Sequence, residues 1–201
     1  MSRVVVLGTV QGLVAERERV RAAFEREAPR SVALGVSPES VAALLRWAPV
    51  EGEDPFDLLP DAELAYSLRL QAFGEVALPP PDLVEAARLA KEAGVPVHGA
   101  DLPEERYEDL FTSEVGAWSL LRYGRVQRRL AKRPPEAPDA RAFALAWDAR
   151  IRKLGALDRV ERAREAHMAG VARALAQDGG PVLLVVDVAR EAGVRAALAG
   201  P

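Results

Sequence analysis

Cysteine is absent from the 201-residue chain and histidine occurs only twice. The first absence excludes a disulfide scaffold, thiol catalysis and cysteine-based zinc or iron–sulfur sites. The second rules out a three-histidine metal site within one chain. No stretch reaches the ~18 consecutive apolar residues of a membrane-spanning helix, so no membrane span is expected. The opening MSRVVVLG has too short an apolar run for a secretory signal, and no small-residue cleavage site follows, so it reads as a strand. A cytoplasmic location is the expectation. Asparagine is absent, and lysine and serine are scarce beside Ala, Arg, Val, Leu and Pro, the balance expected of a GC-rich, thermophilic source.

What is present reads as an ordinary soluble globular chain, 49% hydrophobic and 28% charged. The length suits one α/β domain over 1–201 with a core and a helical insert. The net charge of −3 conceals a dipole. Residues 51–63 carry six acids (Glu51, Glu53, Asp54, Asp57, Asp61, Glu63) and no base. Residues 122–133 carry six bases (Arg122, Arg125, Arg128, Arg129, Lys132, Arg133) and no acid. Clusters of opposite sign and a long helical insert suggest self-association, as in a homodimer.

RVVVLG (3–8) is a short β-branched run ended by glycine, and Leu13, Val20, Ala23 and Phe24 then recur at helical spacing. SVALGV (31–36) is a second strand. Ser37 is a good N-cap and Pro38 suits the first helical position of a helix running through Val41, Leu44, Leu45 and Trp47. The segment 49–60 is a loop by its prolines and glycine. A helix over 61–73, with Asp61 as cap, ends at Gly74. A run of prolines at 79–81 leads into a helix that stops at Gly94. VPVHGADLP (95–103) is a third strand and its exit. Residues 104–178 read as a helical insertion of two or three helices, broken near Thr112-Ser113 and at 133–139. PVLLVVDV (181–188) is a buried strand, and a short helix closes the chain. Strands alternating with helices predict a small, mostly parallel sheet of about four strands flanked by helices.

Ligands in parallel sheets lie beyond the carboxyl ends of the strands, which directs attention to four places. The turn from Gly8 and Thr9 to Gln11 and Gly12 offers backbone amides before a helix, a setting that suits an anion. It matches neither the dinucleotide-binding glycine pattern nor the phosphate-binding loop, and its glycines serve equally well as turn residues. His98 and Asp101, ending the third strand, are candidates for general acid/base work. The plainer alternative makes Asp101 a helix cap and His98 a half-buried strand residue. Arg164 and His167 share a helix face, and an inward arginine there must meet a carboxylate or a bound anion; the alternative is plain solvent exposure, the usual state of a helix this charged. Finally, Arg122, Arg125, Arg129 and Lys132 fall at offsets 0, 3, 7 and 10, one cationic stripe on a helix. No zinc-finger, RNA-binding or helix-turn-helix signature accompanies it, so nucleic acid is not the expected partner; a solvated face, or pairing with the acidic loop of a neighbouring subunit, is the expected reading.

Several segments, in order, resemble the TraB family (TraB/PrgY, and more distantly the Tiki proteases). VVVLGTVQG resembles that family's strand and G-T-x-H turn, and APRSVALGVSPE its second strand ending in E-L-D. The stretch from ELAYSLRLQ to VPVHGADLP resembles its middle segment. VERAREAHMAGVARAL resembles its R-D-x-x-M-A helix, and LLVVDVAREAGVRAAL its closing V-V-G-x-G-H-x-x-G segment. The resemblance implies a divalent-metal site, yet its positions are changed here. Gln11 stands for the first histidine, Gly35 for the glutamate and Arg190 for the last histidine, with Asp187 replacing a glycine. Arg164, Met168, Gly8-Thr9 and Gly193 are retained. Glutamine is a poor ligand and arginine repels a cation, so no metal and no cofactor are expected at this degenerate site.

The expected function is therefore a non-metal binding or interaction module, accepting a small anionic or polar ligand at Gly8, Thr9, Gln11, Gly12, Arg164 and Arg190. Asp187 and Arg190, three apart, are a candidate pair. One alternative is a hydrolase with rearranged acid/base residues drawn from Glu63, His98, Asp101 and His167. Another is an anionic-polymer or protein-docking module using the basic helix 122–133.

Overall fold

The computed structural model describes residues 3–46 and 55–200, the Leu58 side chain excepted. Trp47 and the acidic Glu51, Glu53 and Asp54 lie outside the described residues. Four parallel strands form one sheet in the order β1-β4-β2-β3. They are β1 (Arg3–Thr9), β2 (Ser31–Leu34), β3 (Val97–Gly99) and β4 (Pro181–Asp187). The last strand is thus inserted between the first two. Thr9 pairs with Asp187 and Leu34 with Val185, which aligns the carboxyl ends of β1, β4 and β2.

Strand β4 is a continuous apolar run because helices cover both of its faces. Its side chains alternate. Val182, Leu184 and Val186 face Met168, Ala169 and Ala172 of helix α8 (Gly155–Gln177) and Val194 of α9 (Val188–Ala199). Leu183 and Val185 face Val20 and Ala23 of α1 (Glu16–Glu27), with Leu83, Ala86 and Ala90 of α4 (Pro81–Glu92). The alanines let both helices come close to the sheet. Leu184 is fully buried, and trimming such a leucine to alanine costs about 2–5 kcal/mol.

The short α2 (Pro38–Arg46) begins as expected, with Ser37 Oγ accepting from the Ser40 amide at 3.1 Å. Asp61, expected as a cap, is instead the first residue of α3 (Asp61–Leu70), and Pro60 occupies the cap position. Strand β2 stops at Leu34, two residues earlier than expected, although the Gly35 amide still reaches the Val185 carbonyl at 2.8 Å.

Residues 104–177 form four helices rather than two or three: α5 (Glu104–Glu114), α6 (Ala117–Lys132), α7 (Ala140–Arg152) and α8. The first break falls at Val115–Gly116, just beyond Thr112-Ser113. The break between α7 and α8 carries no proline. Leu154 itself leaves the helical conformation and is buried against Leu157 and Val160, so packing rather than propensity makes that corner. Helices α3, α6 and α7 gather over the carboxyl ends of the strands around Phe143, Trp147, Val10 and Val188. Tyr66, Phe143 and Trp147 stack and tilt against one another with centroids 5.3–5.7 Å apart. Among the described residues no helix is long and apolar enough to cross a membrane.

Candidate ligand site at the carboxyl ends of the strands

Two cavities open above the sheet, one of about 380 Å³ and one of about 470 Å³, both within the usual size of small-molecule sites. Gln11 and Arg190 line both and form the wall between them. The larger is completed by Gly35, Ser37, Asp101, Tyr107 and Arg164. The smaller lies under the helical cap, against Tyr66, Trp147, Asp148 and Asp187, with Glu63 at its edge.

The first turn sits differently from its expected anion-binding pose. Helix α1 begins at Glu16, four residues beyond Gly12, with Glu16 itself buried and bonded to Arg19 at 2.6 Å. The turn is stitched to residues 75–77: the Val14 amide donates to Glu75 O and the Ala77 amide to Gly12 O, each at 2.9 Å. Gly12 takes a φ of +98°, the left-handed region that favours glycine. Neither Gly8 nor Thr9 lines either cavity. Glu191 lies directly over Gly8, at 2.3 Å from where a Cβ would stand.

Thr9 is fully buried and faces Asp82, a buried acid at the start of α4. Its hydroxyl lies 2.7 Å from Asp82 Oδ2 and 3.2 Å from the Val186 carbonyl. One hydroxyl proton serves only one acceptor at a time. Burial pushes the Asp82 carboxyl up to about 6. When protonated, Asp82 can donate to Thr9, leaving Thr9 free to donate to Val186. Asp82 Oδ1 has no hydrogen-bond partner among the described residues.

The inward arginine on α8 meets carboxylates. Arg164 binds Asp101 through Nε and Nη2, with Nε 3.1 Å from Oδ2, and Glu161 Oε1 through Nη1 at 2.8 Å. Its guanidinium also lies 5.3 Å from the Tyr107 ring centroid. Burial opposes the Arg164 charge, but the bonds from Asp101 and the charge of Glu161 outweigh it and raise its pKa. Asp101 therefore serves Arg164 and the neighbouring Leu102 amide, at 2.8 Å. It does not cap α5, whose cap position is Pro103.

Arg190 Nη2 lies 2.7 Å from Glu161 Oε2, a charge contact without hydrogen-bond alignment. Arg190 Nε has no hydrogen-bond partner among the described residues. Asp187, the suggested partner of Arg190, instead caps α9 by accepting from the Ala189 amide at 2.8 Å. Burial raises the Asp187 pKa, with Arg190 pulling it back. Beside them, Arg152 gathers Asp148 at 2.6 Å and Glu165. Burial raises both of those carboxyls against the pull of Arg152.

The remaining candidates are scattered. Glu63 is exposed at the rim of the smaller cavity and Asp101 lines the larger one. His98, in the middle of edge strand β3, lines neither, nor does His167. Burial lowers the His167 pKa. The four acid/base candidates do not share a cleft. Glu161 was missed by sequence reasoning, although its spacing three residues before Arg164 is a standard helical pairing distance. The aromatic lining of the smaller cavity carried no local signal.

Gln11, Gly35 and Arg190, which the resemblance sets at metal positions, do not fit a metal. Gln11 offers one amide, Gly35 no side chain, and Arg190 a cation. Among the described residues no three histidine, aspartate or glutamate side chains group as a metal site. No family model matches the chain, and no curated protein matches it.

Proposed function

We propose that this protein is a TraB-like, non-metal binding module that holds a small polar or anionic molecule at Gln11 and Arg190. The reading is carried by one observation: these two residues form the common wall of both cavities at the carboxyl ends of the strands. Gln11 offers a donor and an acceptor, and Arg190 retains an N–H without a partner. Glu161 occupies the place an anion would take between Arg164 and Arg190. It acts as an internal counterion, which an incoming carboxylate or phosphate displaces from Arg190. This arrangement favours ligands that bring hydrogen-bonding groups as well as charge, because bare charge must compete with Glu161.

The test is calorimetry and thermal melting with phosphate, malonate and citrate as probes. A ligand at a hundred times its Kd raises the melting temperature by roughly 5–10 °C. Gln11→Leu, which disturbs no ion pair, should abolish the shift. Stoichiometric zinc, manganese or cobalt in protein purified without chelator would sink the proposal, as would a shift untouched by Gln11→Leu.

A further inference from the structure

A third cavity, about 520 Å³, is remote in character from the sheet-end site. It lies between α6 and the end of α7. Arg122, Arg129 and Arg133 line one side, Arg150 and Lys153 the other, over an apolar floor of Val126, Leu130 and Leu154. No carboxylate lines it. Arg128 and Lys132 continue the charge around the adjoining hollow.

Elsewhere on the same helical layer arginines find acids. Arg141, Arg152, Arg159, Arg162, Arg164 and Arg190 each lie within ion-pair distance of a carboxylate. The five cations of this cavity have no ion pair among the described residues. The carboxyl end of α6 accounts for part of the cluster, since cations are favoured in a helix's last turn. It does not account for Arg122, two turns earlier, or for Arg150 and Lys153 on the facing helix. Arg150 is held by a bond to the Arg133 carbonyl at 3.1 Å, which fixes it toward α6. Like charges converging on a concave surface repel, and an anion bound among them relieves that repulsion.

We infer that this cavity is a binding site for a compact molecule bearing several phosphate groups. Four of its five cations are arginines, whose planar forks engage phosphate oxygens in pairs. The apolar floor accepts the flat or aliphatic body that carries the phosphates. A free phosphorylated metabolite and an anionic lipid headgroup share this chemistry. Trp118, exposed on the first turn of α6, lines an adjoining hollow with Arg122 and Arg125, where a lipid surface would also meet the helix.

Full-length protein is titrated with sodium tripolyphosphate at near-physiological salt, with inorganic phosphate for comparison. Saturable binding of tripolyphosphate, tighter than that of monophosphate, is expected. The double variant Arg129→Ala/Arg150→Ala should weaken it by roughly thirtyfold or more. The variant Arg17→Ala/Arg106→Ala removes the same charge from α1 and α5 and should leave affinity within about twofold. Co-sedimentation with phosphatidylglycerol-containing vesicles, competed by tripolyphosphate, would assign the phosphate to a lipid. Tripolyphosphate binding without vesicle binding would assign it to a soluble molecule. No saturable binding at millimolar tripolyphosphate overturns the inference, as do equal losses in the two double variants. Much tighter binding of a single-stranded RNA that tripolyphosphate cannot compete also overturns it, in favour of a nucleic-acid surface.

Discussion

Two arginine-rich regions of this molecule obey different rules. At the carboxyl ends of the strands, Arg152, Arg164 and Arg190 are all matched by acids from the chain. Along the outer side of α6 and the end of α7, the cations are left without acids. The difference follows from solvent. A guanidinium that loses its water needs a partner within the protein, whereas an exposed one keeps its hydration and tolerates like-charged neighbours. Internal neutralisation therefore ties the inner arginines to folding and makes a ligand there compete with Glu161, whereas its absence leaves the outer cations open to an external anion.

The largest effect that separates the regions is expected from removing one charge at the inner site. Arg164→Ala strands the Asp101 and Glu161 carboxylates and should cost about 3–5 kcal/mol in chemical denaturation. Arg129→Ala, by contrast, should change stability by no more than about 0.5 kcal/mol or raise it slightly. Equal losses for the two would dissolve the distinction.

Next comes Gly193→Ala. A Cβ there would stand 2.0 Å from Glu165 Oε2, on the carboxylate whose other oxygen, Oε1, is engaged with Arg152. The helix α9 backbone must then withdraw or the pair must break, at a cost of about 1–3 kcal/mol. A melting curve indistinguishable from the parent would show that Glu165 is free to move.

A smaller effect should come from Asp82 and depends on pH. Its carboxyl is raised by burial from the ordinary value to about 6 in the folded state. A raised carboxyl favours folding most below its unfolded pKa, and this contribution is lost as pH rises from about 4 through 6. Asp82→Asn should flatten the stability profile over that window and gain roughly 1–3 kcal/mol at pH 7 relative to the parent. Parallel pH profiles for the two proteins would show that Asp82 does not titrate there.

The smallest concerns salt. Raising ionic strength from ~0.05 to ~0.5 M should raise the stability of the parent slightly by screening the α6 cluster. Arg129→Ala/Arg150→Ala should reduce that salt response. An unchanged response would mean the cations are already too far apart to repel.

Much of the fold was legible in local pattern. The strand at 181–187 announces itself by five consecutive buried apolar residues, and Ser37-Pro38 by its capping chemistry. The corner at Leu154 was not legible, because nothing in Lys153-Leu154-Gly155 forbids a continuous helix until Leu154 finds its buried place. At the site, Asp101 and Arg164 were each visible as candidates. Their partnership was not, because 63 residues separate them. Gln11 and Arg190 were singled out through a resemblance, and folding sets them side by side in one wall. Gly8 and Thr9 were grouped with them for the backbone amides of the turn and through the same resemblance, and the end of β1 buries them instead.

By itself the sequence determined the α/β class, the four strands and the cationic stripe of α6, because periodicity and β-branched runs act over a few residues. Tertiary structure alone decided which charges are neutral pairs and which are open. That choice depends on solvent access and on side chains brought together from distant segments. Glu161 closes the inner site from one helical turn away, while Arg150 and Lys153 enlarge the outer one from a neighbouring helix.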